Sequence, residues 1–191
     1  NTTLVPNLSS NLALGGGIGT ACTITITPAA DQNGSATITL SLNDGSGAVN
    51  AVTTSTFTLT VNAVNDAPTF TTVPSQTINE DSTTGALSFT IGDVDNTVQC
   101  SQVIASSSDT TLIPNTDSNL TLAGGTGTAC SITVTPAPDK NGSATITLSL
   151  NDGSGAGNAI TSRTFTVSVT AVNDAPTVAA IANKTTTEDT S

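Results

Sequence analysis

The chain has 191 residues, 14 of them acidic against three basic (Lys140, Arg163 and Lys184), for a net charge of −11, and it contains no His, Trp, Tyr or Met. A basic surface able to neutralise phosphates is missing, which excludes nucleic acid and disfavours anionic lipid as a partner. Without His or Tyr, no Ser or Cys nucleophile has an imidazole beside it, so a structural or binding role is expected and an enzyme is not.

Taken in chain order, the apolar residues alternate with period two. "TITIT" sets Ile24 and Ile26 on one face, "ATITLSL" sets Ile38, Leu40 and Leu42, and "TFTLTV" sets Phe57, Leu59 and Val61. Thr-rich opposite faces suit half-buried antiparallel strands. Beyond residue 67 the same reading predicts strands near 69–79, 86–92, 97–106, 111–122 (interrupted by Pro114), 129–135, 143–150 and 162–171. Clusters such as "AGGTGT", "PAPDKNGS" and "NDGSGAGN" break the runs, and no segment has helical periodicity. Seven short strands in about 100 residues predict a Greek-key β-sandwich. The core draws on Val, Ile and Leu, with Phe89 and Phe165 as its aromatics.

The chain also repeats itself. "AVNDAPT" occurs at Ala63 and at Ala171, and from Asp66 to Asp174 the offset is 174 − 66 = 108 residues. The same offset lays "NGSATITLSLNDGSGA" at Asn33 on the identical string at Asn141, and Glu80–Asp81 on Glu188–Asp189. About 54 of 83 superposable positions are identical. That period exceeds a solenoid unit of roughly 20–50 residues and suits a small domain. Residues 1–66 then form the back part of one repeat, 67–174 a complete one, and 175–191 the front of a third. On this reading neither end is a natural terminus.

Cys22 and Cys130 are repeat equivalents, and the equivalent of Cys100 would fall ahead of Asn1. Each full repeat is thus expected to carry two cysteines. Cys100 and Cys130 fit a disulfide at one pole of the sandwich, worth roughly 3–4 kcal/mol, or a pair of buried free thiols. A disulfide would imply an oxidising, extracellular setting.

With strands placed, the recurring acids fall at repeat junctions. Asn65 and Asp66 sit in the linker, Asp93 and Asp95 in the loop after the second strand, and Asp152 after the sixth. Glu80 (with Asp81) follows the first strand and faces the next linker, which carries Asn173 and Asp174. A hard cation resolves such converging carboxylates, and Ca²⁺ takes six to eight oxygen ligands. The same residues also suit plain turn chemistry: Asx turns, an Asp-Gly hairpin turn and a proline-stiffened linker.

The order "NDAP", "NED", "DVD", "NDGSG" and "NDAP" again resembles the cadherin pattern. The whole chain is similar to the tandem cadherin-like and Ig-like repeats of large bacterial surface proteins and adhesins. The resemblance implies tandem seven-stranded sandwiches and Ca²⁺ at the junctions. Its ligands would be Asn65, Asp66, Asp93, Asp95 and Asp152 at the first junction, and Glu80, Asn173 and Asp174 at the second. Asp44 is the counterpart of Asp152. The chain departs from cadherins at Ala63 and Ala171, where their linkers carry an Asp, and it lacks their mid-domain acidic triplet. One ion per junction is therefore expected, with Kd on the order of 10⁻⁴–10⁻³ M.

The function this implies is a non-catalytic spacer or stalk in an extracellular, cell-surface adhesin or fibre, partnered by neighbouring repeats and by other copies in a fibre. The alternatives are glycan, ice or surface binding, or a filament subunit built by strand complementation. An aromatic content of 2% argues against a stacking sugar site, and the Thr rows alone suggest ice or mineral contact. Sequons at Asn1, Asn7, Asn33, Asn119, Asn141 and Asn183 permit glycosylation.

Overall fold

The computed structural model describes residues 1–16 and 21–188, so Asp189 of the repeated Glu-Asp pair lies outside the described residues. The first four strands make two antiparallel pairs: β1 (Leu12–Gly15) with β2 (Thr23–Ile26), and β3 (Gly34–Asn43) with β4 (Val52–Val61). Leu4, Val5, Ala36 and Ile38 form a small core between them.

Eight strands follow: β5 (Thr69–Phe70), β6 (Gln76–Asn79), β7 (Leu87–Gly92), β8 (Ile104–Ser107), β9 (Leu120–Ala123), β10 (Ala129–Val134), β11 (Gly142–Asn151) and β12 (Ile160–Thr170). They form two four-stranded sheets, ordered β5-β7-β10-β9 and β6-β12-β11-β8. This is the strand order of an immunoglobulin-like sandwich. The alternation read from sequence sets the core: Ile132 and Val134 of β10, Ile146, Leu148 and Leu150 of β11, and Val167 of β12 are fully buried. Each such side chain contributes roughly 1.5–3 kcal/mol. Outward, the register of β11 on β12 aligns Thr145 with Thr166, Thr147 with Thr164 and Ser149 with Ser162.

Three expected strands are corrected. The run at 69–79 is two strands, because β5 pairs antiparallel with β7 while β6 crosses to the other sheet and pairs parallel with β12. Pro74, lacking an N–H, stands in the crossover. The run at 97–106 begins as a 3₁₀ turn, Cys100–Gln102, and becomes strand only at Ile104. Gln99 and Gln102 close that turn reciprocally, with the Gln102 side chain accepting from the Gln99 N–H at 2.6 Å.

The run at 111–122 is strand only from Leu120. Asp109 Oδ1 accepts from the Thr111 hydroxyl (2.7 Å) and from the Thr111 and Leu112 N–H groups (2.9 and 3.1 Å). These bonds, the Thr111 hydroxyl foremost, hold the Asp109 carboxyl below its usual range. They give the backbone a local alternative to a sheet ladder. Leu112 and Ile113 are buried nonetheless, and plug the core from this turn.

The turn puts Cys100 against β10, and Cys100 and Cys130 form a disulfide with Cα atoms 5.5 Å apart. Gly124 makes room for it: at φ +124°, a Cβ there would stand 2.5 Å from Cys100 Sγ and 2.7 Å from the Ala129 carbonyl. Its repeat equivalent Gly16 has φ +125°, and a Cβ there would lie 3.0 Å from the Ala21 carbonyl.

Candidate metal centre

At the first junction the linker Asn65 is the hub. Its side-chain amide donates to Asp152 Oδ2 at 2.9 Å, Asn158 Oδ1 at 3.2 Å and the Asp66 carbonyl at 2.7 Å. Its own oxygens accept in turn, Oδ1 from Asn96 Nδ2 at 3.2 Å and the carbonyl from Asn158 Nδ2 at 2.6 Å. The Asp66 N–H donates to Asp95 Oδ2 at 2.6 Å. Asp152 is buried, with its other oxygen on the Ser154 N–H at 2.7 Å. The Asn65 amide, followed by Ser154, keeps its carboxyl below the usual value.

Of the five acids and amides expected here, Asn65, Asp66, Asp95 and Asp152 are thus joined by direct bonds, and all five lie around one linker. Asp93 faces its own loop: Oδ1 accepts from the Asp95 and Asn96 N–H groups at 2.8 and 2.7 Å. Its Oδ2 is buried and has no hydrogen-bond partner. Asn96 and Asn158 were not anticipated. A signal for Asn158 exists, since its repeat equivalent Asn50 is identical. A cavity of about 300 Å³ beside the linker is lined in part by Asp31, Asp66 and Asp95.

At the second junction, three carboxylates meet. Asp81 follows β6, Asp139 lies in the β10–β11 turn, and Asp174 lies beyond β12; one oxygen from each falls within 4.8 Å of the others. Asp81 and Asp139 both hold left-handed backbone, φ 60° and 55°, and the Asp139 N–H donates to Asp81 Oδ1 at 3.2 Å. Desolvation raises the Asp174 carboxyl above its ordinary value, and the charges of Asp139, Asp81 and Glu80 add to this.

Glu80, expected as a ligand here, is buried and spends Oε1 on the Val172 N–H at 2.6 Å, pinning the linker to the end of β6. Asn173 bonds the Asp174 carbonyl at 3.0 Å, as Asn65 does that of Asp66. Asp139 was read as a turn breaker. Its counterpart Asp31, identical across the repeat and also left-handed at φ 56°, was the available signal.

The donor set is all oxygen, which suits a hard cation. With Ca–O bonds near 2.4 Å, two oxygens on one ion lie at most about 4.8 Å apart, so the Asp81–Asp139–Asp174 group is compatible with one shared Ca²⁺.

No protein-family model matches the chain, and no curated protein does. Among solved structures, domains 4 and 5 of the S-layer protein SbsC align with a TM-score of 0.39 and 18% identity, over 76% of this chain and 62% of that one. A chimeric titin Z1Z2 carrying a decorin peptide aligns at 0.36 and 20%, over 86% and 74%. The human desmocollin-1 ectodomain aligns at 0.41 and 16%, over 79% and 30%. The chain therefore spans less than two thirds of the first and third of these. Among the described residues, no helix is long and apolar enough to cross a membrane.

Proposed function

We propose that the chain is a non-catalytic structural repeat of an extracellular surface protein or adhesin stalk, stiffened within repeats by the disulfide and at the second junction by Ca²⁺. The observation that carries this reading is the meeting of Asp81, Asp139 and Asp174, drawn from two loops of the sandwich and from the linker leaving it. Among the described residues no basic side chain pairs with them: Asp174 is raised first by desolvation and then by the charges of Asp139, Asp81 and Glu80, and the nearest cation in sequence, Lys140, makes no ion pair. A cation would supply that missing positive charge and tie the linker to the sandwich.

Ca²⁺ would be held by Asp81, Asp139 and Asp174 at the second junction. The acids of the first junction form no such group among the described residues, and the linker there is held by the hydrogen bonds of Asn65 and Asp66. The disulfide fits an oxidising compartment, which supports an extracellular location. Function on this reading lies in spacing and stiffness, and the partners are the neighbouring repeats.

The test is a thermal melt in EDTA and in CaCl₂ up to about 10 mM, with MgCl₂ as control, a range set by the weak affinity of extracellular modules. The reading expects a saturable, calcium-specific rise in Tm that Asp139→Asn with Asp174→Asn abolishes. No rise at the highest calcium leaves these acids as turn residues, and linker stiffness then rests on hydrogen bonds and proline.

A further inference from the structure

The charges of the complete repeat are segregated. In the eight strands β5–β12 the only charged residue is Arg163, and every acid of residues 67–174 lies in a turn, a loop or the linker. Arg163 has no acid partner among the described residues. Its position coincides with a second feature of the same strand.

A sheet edge presents a row of unpaired N–H and C=O groups that another chain can extend. The outer strands β5, β6, β8 and β9 are only two or four residues long, which limits such pairing. β12 is the exception. It has 11 residues, and β6 covers it only from Val167 to Thr170. Next to that stretch the Thr166 N–H donates to Ser75 Oγ at 3.1 Å, and residues 160–165 have no paired strand on this side. Thr145, opposite Thr166 on β11, bonds Ser108 through both its N–H and its carbonyl, so the even-numbered residues of β12 turn their backbone groups away from β11. By the period of two, the N–H and C=O groups of Ser162 and Thr164 face the open side.

Arg163 stands between them. Its side chain is exposed and lines, with Val73, Leu148 and Phe165, a cavity of about 240 Å³. A strand added here would lie about 4.8 Å from β12 and close that cavity over the guanidinium. The charge would lose water and meet no carboxylate. Two copies pairing antiparallel, with Ser162 opposite Thr164, would also set their Arg163 side chains directly opposite one another as like charges.

We propose that Arg163 guards this edge: its charge keeps β12 of one molecule from pairing with a strand of another, at the one long edge that the sandwich of residues 67–174 leaves open. The proposal does not involve calcium, and its test runs in EDTA. Hydrogen exchange of the Ser162 and Thr164 amides is followed by NMR on the 191-residue chain from about 50 μM to about 1 mM, a range that captures weak association. NaCl at about 1 M shortens the Debye length to about 3 Å, so the net charge of −11 no longer holds copies apart.

In the unaltered chain and in Arg163→Lys, both amides are expected to exchange fast at every concentration. In Arg163→Thr, which keeps strand propensity, they are expected to slow at least about tenfold as concentration rises, and to recover on dilution. Arg163→Glu is expected to behave as the unaltered chain does, because burying a charge of either sign is costly. Reading these two amides confines the result to β12, whatever other surfaces do. Fast exchange in Arg163→Thr at the highest concentration overturns the proposal. So does slow exchange in Arg163→Lys or Arg163→Glu, which would separate the effect from charge, or slow exchange in the unaltered chain, which would mean that the edge is already covered.

Discussion

Removing the disulfide by Cys100→Ala with Cys130→Ala reopens a loop with a sequence separation of 30. The chain-entropy relation for a loop of that length gives about 3.6 kcal/mol at 25 °C. For a domain of roughly 100 residues, 1 kcal/mol moves Tm by about 4–8 °C, so a fall of roughly 15–30 °C is expected for the sandwich transition. The chain has no Trp or Tyr to report by fluorescence, so urea denaturation followed by far-UV circular dichroism, with calorimetry beside it, is the suitable assay. The urea m-value is expected to rise, because the uncrosslinked denatured state is less compact.

Cys22 is the internal control. It is exposed and free, so Cys22→Ala is expected to change stability by less than about 0.5 kcal/mol. A loss under about 1 kcal/mol in the double variant would refute the reasoning. The Cys100 turn would then be fixed by its backbone bonds alone: Cys100 N–H to the Gly127 carbonyl at 2.9 Å, and Ser101 N–H to that of Gly125 at 3.0 Å.

Gly124→Ala meets both a left-handed φ and backbone at 2.7 Å, and is expected to cost more than about 2 kcal/mol by urea melt. Part of that loss should vanish in the cysteine-free background, while the clash with the Ala129 carbonyl remains. Asn65→Ala leaves a buried Asp152 oxygen and two asparagine side chains short of partners, at about 1–3 kcal/mol. Hydrogen exchange is expected to speed up at residues 63–68 and stay slow in β11. The two junctions respond oppositely to pH. Asp152 is lowered from 3.8, so its stabilisation is present above that value and lost as pH falls through the lower folded pKa. Asp174 is raised from 3.8, so its folded state prefers the proton; its contribution is full below 3.8 and lost as pH climbs through the raised folded pKa. Carboxyl ¹³C NMR titration checks both, and CaCl₂ is expected to bring the Asp174 midpoint down while leaving that of Asp152 in place.

The sandwich was readable because its central strands obey one simple rule. In β11 and β12, strict alternation put Ile146, Leu148, Phe165 and Val167 inward, and little else competes along those runs. Where the reading failed, a side chain competed with the ladder. The carboxylate of Asp109 captures two N–H groups and turns an apolar run that includes Leu112 and Ile113, both of which still bury. Apolarity alone could not distinguish a core residue on a strand from one on a turn. The sheet change between β5 and β6 is a tertiary choice, and Pro74 marks only where the ladder must break.

The junction was legible as a place but not as a wiring diagram. Repetition of Asn-Asp-Ala-Pro located it, because a motif at fixed phase in a domain-length repeat must serve the same position twice. What repetition could not say is how the acids divide between hydrogen bonds and repulsion. At the first junction, amide donors from Asn65 and backbone donors from Asp66 and Ser154 satisfy Asp95 and Asp152 with neutral partners. At the second, Asp81, Asp139 and Asp174 face one another, with a single backbone N–H, that of Asp139, donated to Asp81. Charged oxygens that accept neutral donors have little left to gain from an ion, whereas three facing carboxylates gain the most. The cluster at Asp174 is thus where a cation or a proton has the largest effect, and the network at Asn65 is where the linker holds without either.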